Sequence, residues 1–227
     1  MTRKTAEAPA KERLSRERIV DNALALADAE GLDAVTIRRL AQDQGVTPMA
    51  LYWHFKDKER LLDGIAERLL SDVVMPSEGP DARPWDEQFR DLLVALLQVL
   101  RAHPATAHLV MTRIMLSEPG LNLTERALGL LSVAGFSREQ ATQVASHALA
   151  SMVILVTTEP GRPEASDTAE REQRMRTKKA SLQVLPPEQY PHVVASADAF
   201  VQCSSEPYFE LGVDLLIAGI RGVSATL

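Results

Sequence analysis

From Ser15 onward, apolar side chains recur every three or four positions, and no run sustains an alternation of period two. A chain with that pattern must bury helical stripes against one another, so its fold class is all-α. The punctuation is equally readable. Ser15 is placed to cap a first helix with Glu17 in its first turn, where the helix dipole favours an anion. Ile19, Ala23, Leu26 and Ala27 form its apolar stripe, and Gly31 follows as a left-handed stop. Thr36 caps a short second helix carrying Ile37, Leu40 and Ala41, which Gly45 ends. Thr47-Pro48, a hydroxyl followed by proline at the first helical position, starts a third helix reaching about Trp53. Asp57 caps a fourth, with Leu61, Leu62, Ile65 and Leu69 on its apolar face.

Three prolines and a glycine between Met75 and Pro84 then mark a connector. It divides an N-terminal domain, residues 13–73, from a larger helical domain, residues 84–227. The second domain opens with an amphipathic helix from Trp85 to Arg101, broken by His103-Pro104. Helices are expected around 105–116 and 122–134, the latter closed by Gly135. Ser137 and Gln140 have capping-box spacing and open an apolar helix that can run to Thr158. Residues 159–187, charged and proline-bearing, read as a long loop or a solvated helix. Helices around 188–200 and 207–223 complete the chain.

Composition narrows the function. The net charge of -6 argues against a general polyanion binder, but the charge is unevenly spread. Residues 1–70 carry twelve basic and twelve acidic groups, so the whole excess lies beyond them. Residues 1–18 hold six basic and three acidic side chains and read as a basic arm. One cysteine, Cys203, excludes an intramolecular disulfide framework and multi-cysteine metal sites, and it has no sequence-local partner. A membrane span needs roughly 18–20 continuous apolar residues, and no stretch approaches that. The N-terminus lacks the apolar run of a signal peptide, so a cytoplasmic protein is expected. The sequence contains no HExxH, P-loop, GxGxxG or GxSxG motif; neither an enzyme nor a bound cofactor or metal is expected.

The three helices of residues 15–55, with a sharp turn at Gly45-Val46, have helix-turn-helix spacing. Gly45 permits the positive backbone angle that such a turn needs. Ile37, Leu40, Ala41, Val46 and Leu51 are spaced to face the first helix. Pro48, Met49, Ala50 and Tyr52 are left at the exposed start of the third helix, the end that enters the major groove in this motif. Trp53 and Phe55 read as core anchors. His54, a polar side chain at the helix end, joins the candidate DNA-binding set. Lys56 and Lys58 lie where phosphates would pass.

Residues 13–73 resemble the DNA-binding domain of the tetracycline-repressor (TetR) family. The similarity lies in Ile19-Val20, Ala23-Leu24, Gly31-Leu32, Val35 to Ala41, Gly45-Val46, Leu51 to Lys58 and Leu61-Leu62. Leu51-Tyr52-Trp53-His54, with the ending Tyr208 to Gly219, points to the branch with a tetracycline-repressor-like C-terminal domain. The resemblance implies a homodimeric repressor of double-stranded operator DNA, released by a small molecule. It implies a guanine contact from Arg38, phosphate contacts from Thr36, Tyr52 and Lys58, and base-reading positions at Thr47 to Ala50. These four are small or apolar, which favours thymine methyls over bidentate hydrogen bonds.

It also implies that the C-terminal domain dimerises through four helices. Leu211, Leu215, Ala218 and Gly222 share one face of the last helix, where Gly212 and Gly219 would allow close approach. Val144, Ala148, Ser151 and Leu155 share a face of the capped helix. Candidate effector contacts are Phe89, Leu93, His103, His108, Met111, Thr112, Met115, His147, Ser151 and Met152. The namesake branch holds its metal-bound drug with a histidine at the end of the fourth helix. Here Val73-Val74 stand in that place, pointing away from magnesium–tetracycline and towards a bulky, largely apolar molecule, such as an antibiotic-like natural product or acyl compound.

Overall fold

Side-chain caps start three of the four N-terminal helices; Thr47, before the third, makes no cap hydrogen bond. In the computed structural model, the Ser15 hydroxyl accepts the Arg18 amide at 3.2 Å and opens α1 (Arg16–Glu30). Thr36 accepts the Arg39 amide at 3.1 Å and opens α2 (Ile37–Asp43). Pro48 occupies the first turn of α3 (Pro48–Tyr52), and Asp57 accepts the Arg60 amide at 2.8 Å to open α4 (Lys58–Ser71). Gly45 turns between α2 and α3 with φ 63°. Gly31 has φ 87° and ψ 162°, a glycine conformation other than the expected left-handed helical stop, and it leads into a short 3-10 turn, Leu32–Ala34. The structure describes residues 14–75, 83–159, 168–201 and 205–227. The basic arm up to residue 13, connector residues 76–82, residues 160–167 and Cys203 lie outside the described residues.

The C-terminal half comprises α5 (Trp85–Ala102), α6 (Leu109–Arg113), a 3-10 turn (Ile114–Leu116), α7 (Glu118–Val133), α8 (Arg138–Thr157), α9 (Thr168–Gln183), α10 (Pro191–Ala195) and α11 (Ser205–Ser224). Among the described residues no strand occurs, and no helix is long and apolar enough to cross a membrane. The Ser137–Gln140 capping box forms in both directions. Three boundaries differ from the sequence expectation. After His103-Pro104 the chain makes turns up to His108, where Thr106 donates to the His103 carbonyl at 3.1 Å, so α6 is a short remnant of the expected 105–116 helix. α7 begins four residues early because Ser117 caps it and Pro119 fits its first turn. α10 spans only five of the residues expected over 188–200, followed by turns, while residues 168–183 take the solvated-helix alternative.

α4 is the element both halves share. It packs on α1 on one side and on α5, α6, α7 and the Ile114–Leu116 turn on the other. One continuous core therefore runs from Ile19 and Leu51 through Ile65 and Leu69 to Phe89, Leu131 and Phe209. Closest approach occurs at Gly120, where a β-carbon would lie 1.8 Å from the Ile114 carbonyl oxygen. Only glycine lets α7 press this tightly on the turn that follows α6.

Candidate DNA-reading head and effector cavity

Neighbouring arginines show how the head is organised. The Arg39 guanidinium donates to Glu30 at 2.7 and 2.9 Å and to both oxygens of Asp43 at 3.0 Å. These bonds, Glu30's foremost, raise the Arg39 pKa above its ordinary value, and Arg39 holds the Glu30 carboxyl below its own. Arg39 thus fixes α2 against the end of α1. The guanidinium of Arg38, one residue earlier and exposed, has no hydrogen bond or ion pair to any described residue. A forked, uncommitted guanidinium is the group suited to the O6 and N7 edge of guanine.

The other predicted contacts lie at the α2 cap, on α3 and its two flanking turns, and at the start of α4. Thr36, Thr47, Pro48, Met49, Tyr52 and Lys58 are exposed, Ala50 and His54 are half-buried. The Thr36 oxygen accepts the Arg39 amide, which leaves its hydroxyl hydrogen for a phosphate. Met49 is 66% exposed although apolar, as expected of a side chain kept for a partner. Phe55 is buried as expected, with the Arg16 guanidinium 4.5 Å from its ring centre. Trp53 corrects the expectation of a core anchor: α3 ends at Tyr52, and Trp53 falls in the following turn with 85% of its surface exposed.

In the C-terminal half, α5, α6, α7 and α8 enclose a cavity of about 550 Å³. Of the ten candidate effector contacts, Phe89, Leu93, Met111 and Met115 line it. The other six do not. His103 is drawn to the head, where its Nδ1 lies 2.7 Å from Asp28 of α1. His108 is exposed before α6, and Thr112 is exposed and accepts from Arg113 at 3.0 Å. His147 is exposed on α8, and Ser151 donates to the His147 carbonyl at 2.8 Å. Met152 is wholly buried in the core on another face of α8. The lining instead includes Leu92, Leu96, Ile114, Leu123, Thr124, Thr142, Ser146, Ala148 and Leu149. Thr142 and Ser146 stand one turn apart, a spacing visible in the sequence; which face of α8 meets the cavity is decided only by packing. At the expected drug-binding histidine's place, Val73 is buried and Val74 exposed.

The cavity wall reaches the head directly. Met111, Ile114 and Met115 line the cavity, and between them Arg113 bonds α4: Nη2 to Glu59 at 2.6 Å and Nε to Asp63 at 3.1 Å. α6 and the DNA-supporting helix are therefore joined by a forked cation that is largely buried.

The expected dimer face is partly available. Leu211, Leu215, Ala218 and Gly222 are all exposed along α11. On α8, Val144 and Ser151 are half-buried. Ala148, by contrast, is only 1% exposed and lines the cavity, so it cannot meet a second chain. Leu155 is half-buried, and its methyl groups lie 2.6 and 2.8 Å from where a Gly212 β-carbon would stand. Gly212 therefore serves packing within the chain, and the exposed apolar residue of α8 is Ile154.

A capped three-helix head with a free arginine, coupled through α4 to a hollow helical body, defines a ligand-responsive DNA-binding protein. Residues 19–65 match the family of bacterial regulatory proteins of the tetR type, and residues 76–224 match the tetracyclin repressor-like C-terminal domain. The chain belongs to the TetR family of transcriptional regulators. It is 31% identical over 222 residues to the tetracycline repressor protein class C of Escherichia coli, covering 94% of each chain. It also resembles the TetR family protein ActR of Streptomyces coelicolor in complex with actinorhodin, with 28% identity, a TM-score of 0.77, and coverage of 93% of this chain and 99% of that one.

Proposed function

We propose that this protein is a homodimeric repressor whose two heads read an operator and release it when an apolar effector fills the cavity. Its reading unit is residues 13–73 and its effector and dimerisation unit residues 84–227. It acts as a cytoplasmic regulator rather than as an enzyme. Arg38 reads guanine, Met49 and Ala50 meet thymine methyls beside Thr47 and Pro48, and Thr36, Tyr52, His54 and Lys58 fix the register on the backbone. The exposed α11 stripe, with Ile154 of α8, supplies the apolar surface for a second copy.

The observation that carries the reading is the position of Arg113 between cavity-lining residues while its guanidinium grips Glu59 and Asp63 of α4. A molecule that displaces α6 must pull on α4. Dimer heads engage successive major grooves only about 34–36 Å apart, so a small tilt of α4 breaks the register. The similarity to ActR, a family member bound to a small molecule, supports an effector in this half. The test is operator binding by full-length protein to the DNA beside its own gene. Specific binding that Arg38→Ala and Tyr52→Ala both weaken supports the reading; equal, non-specific binding by wild type and both variants refutes it.

A further inference from the structure

We infer that the cavity selects an uncharged apolar molecule bearing two hydrogen-bond donors about one helical turn apart, received by Thr142 and Ser146 of α8. This rests on the cavity being the effector site. The side chains that line it, among the described residues, include no ionisable group. Its floor is built by Phe89, Leu93 and Ala148, all buried. A carboxylate or ammonium taken into such a space would shed its water and meet no counter-charge.

Three hydroxyls interrupt the apolar lining, and the hydrogen of each is already engaged. Thr124 donates to the Gly120 carbonyl at 2.8 Å, Thr142 to the Arg138 carbonyl at 2.9 Å, and Ser146 to the Thr142 carbonyl at 2.8 Å. What they turn towards a ligand is oxygen lone pairs. A ligand that offers only ether, ester or ketone oxygens would set lone pair against lone pair. A ligand with phenolic or alcoholic hydroxyls completes each hydroxyl without disturbing the helix. Thr142 and Ser146 are i and i+4 on one helix, which places their side chains about 5–6 Å apart. Both are exposed, whereas Phe89 is wholly buried, so the donor-bearing edge lies at the mouth and the apolar body reaches the floor.

Three probes with one aromatic body test this: 1,3-dihydroxynaphthalene, its dimethyl ether, and 2-naphthoate. Binding to full-length protein is measured by isothermal titration calorimetry at neutral pH without DNA. The diol is expected to bind about tenfold tighter than the ether or the naphthoate, a difference of about 1.4 kcal/mol. Combining Thr142→Val with Ser146→Ala brings the diol to the ether's affinity, with the melting temperature confirming that the variant is folded. Leu93→Trp, which crowds the floor, weakens the diol as well. Equal affinity for diol and ether, tightest binding of naphthoate, a diol preference that survives the double variant, diol binding untouched by Leu93→Trp, or no diol binding at its solubility limit would each overturn the inference. Because DNA is absent, these outcomes are independent of whether operator recognition succeeds or fails.

Discussion

Leu51 in the reading head and Leu93 in the effector half are both buried leucines on amphipathic helices, yet their surroundings differ. Leu51 belongs to a core with Phe55, Leu61 and Ile65, all buried to within 1%. Leu93 has the 550 Å³ cavity on one side. The head spends its side chains on rigidity: Arg39 is tied to Glu30 and Asp43, and Arg16 lies over Phe55. The effector half leaves space and keeps adaptable methionines, Met111 and Met115, at the edge of it. A reading surface must hold its geometry before DNA arrives, whereas a sensing cavity must be able to change when it is filled.

The contrast would break first in core truncations. Leu51→Ala leaves a new void in a filled core and is expected to cost about 4 kcal/mol by urea denaturation. Leu93→Ala removes atoms that already lack neighbours on the cavity side, so about 2 kcal/mol is expected. Equal losses would mean that the two interiors are packed alike. The next test concerns the link between the regions. Arg113→Met removes the grip on α4 without touching any DNA-facing residue, and operator affinity should fall about fivefold, the lower end of ordinary coupling. Unchanged affinity would show that α4 is held in place without Arg113.

The smallest effect is a pH dependence of the head. The Glu30 carboxyl is lowered chiefly by its hydrogen bond from Arg39. A carboxyl lowered in the folded state contributes stability that is present above its unfolded pKa, about 4.3, and lost as pH falls through the lowered folded value. Wild type should therefore lose a small increment of stability below about pH 4 that Arg39→Met never had. Glu30 is exposed and Arg39 only half-buried, so the increment is small and best seen as a difference between two acid melting series. Parallel series would sever the pair from head stability.

Local chemistry made much of this legible from the sequence. Ser15, Thr36, Asp57 and Ser137 cap helices within three residues of themselves, and Gly45 turns with the positive φ its position required. Local chemistry could not show where helices face one another. Trp53 and Phe55 both read as core anchors, yet α3 ends at Tyr52 and the following turn buries Phe55 while it leaves Trp53 facing solvent. His103 meets Asp28 across 75 positions of sequence, a pairing no periodicity reveals. Met152 and Ser151 share α8 with Thr142 and Ser146, but only the way α8 packs on α5 and α7 selects the latter for the cavity. Ser117-Glu118-Pro119 carries the cap and first-turn proline that start α7, a local signal that precedes the helix's regular apolar stripe.

On the proposed reading, Arg38 reads DNA while its neighbour Arg39 builds the head. Fluorescence anisotropy on a labelled duplex from beside the protein's own gene, and on a scrambled duplex of the same length, separates the two roles. Arg38→Ala should lose about 1–3 kcal/mol of discrimination per half-site, with unchanged melting temperature and unchanged binding to the scrambled duplex. Full discrimination retained by Arg38→Ala, or none shown by wild type, would refute this division between the two arginines.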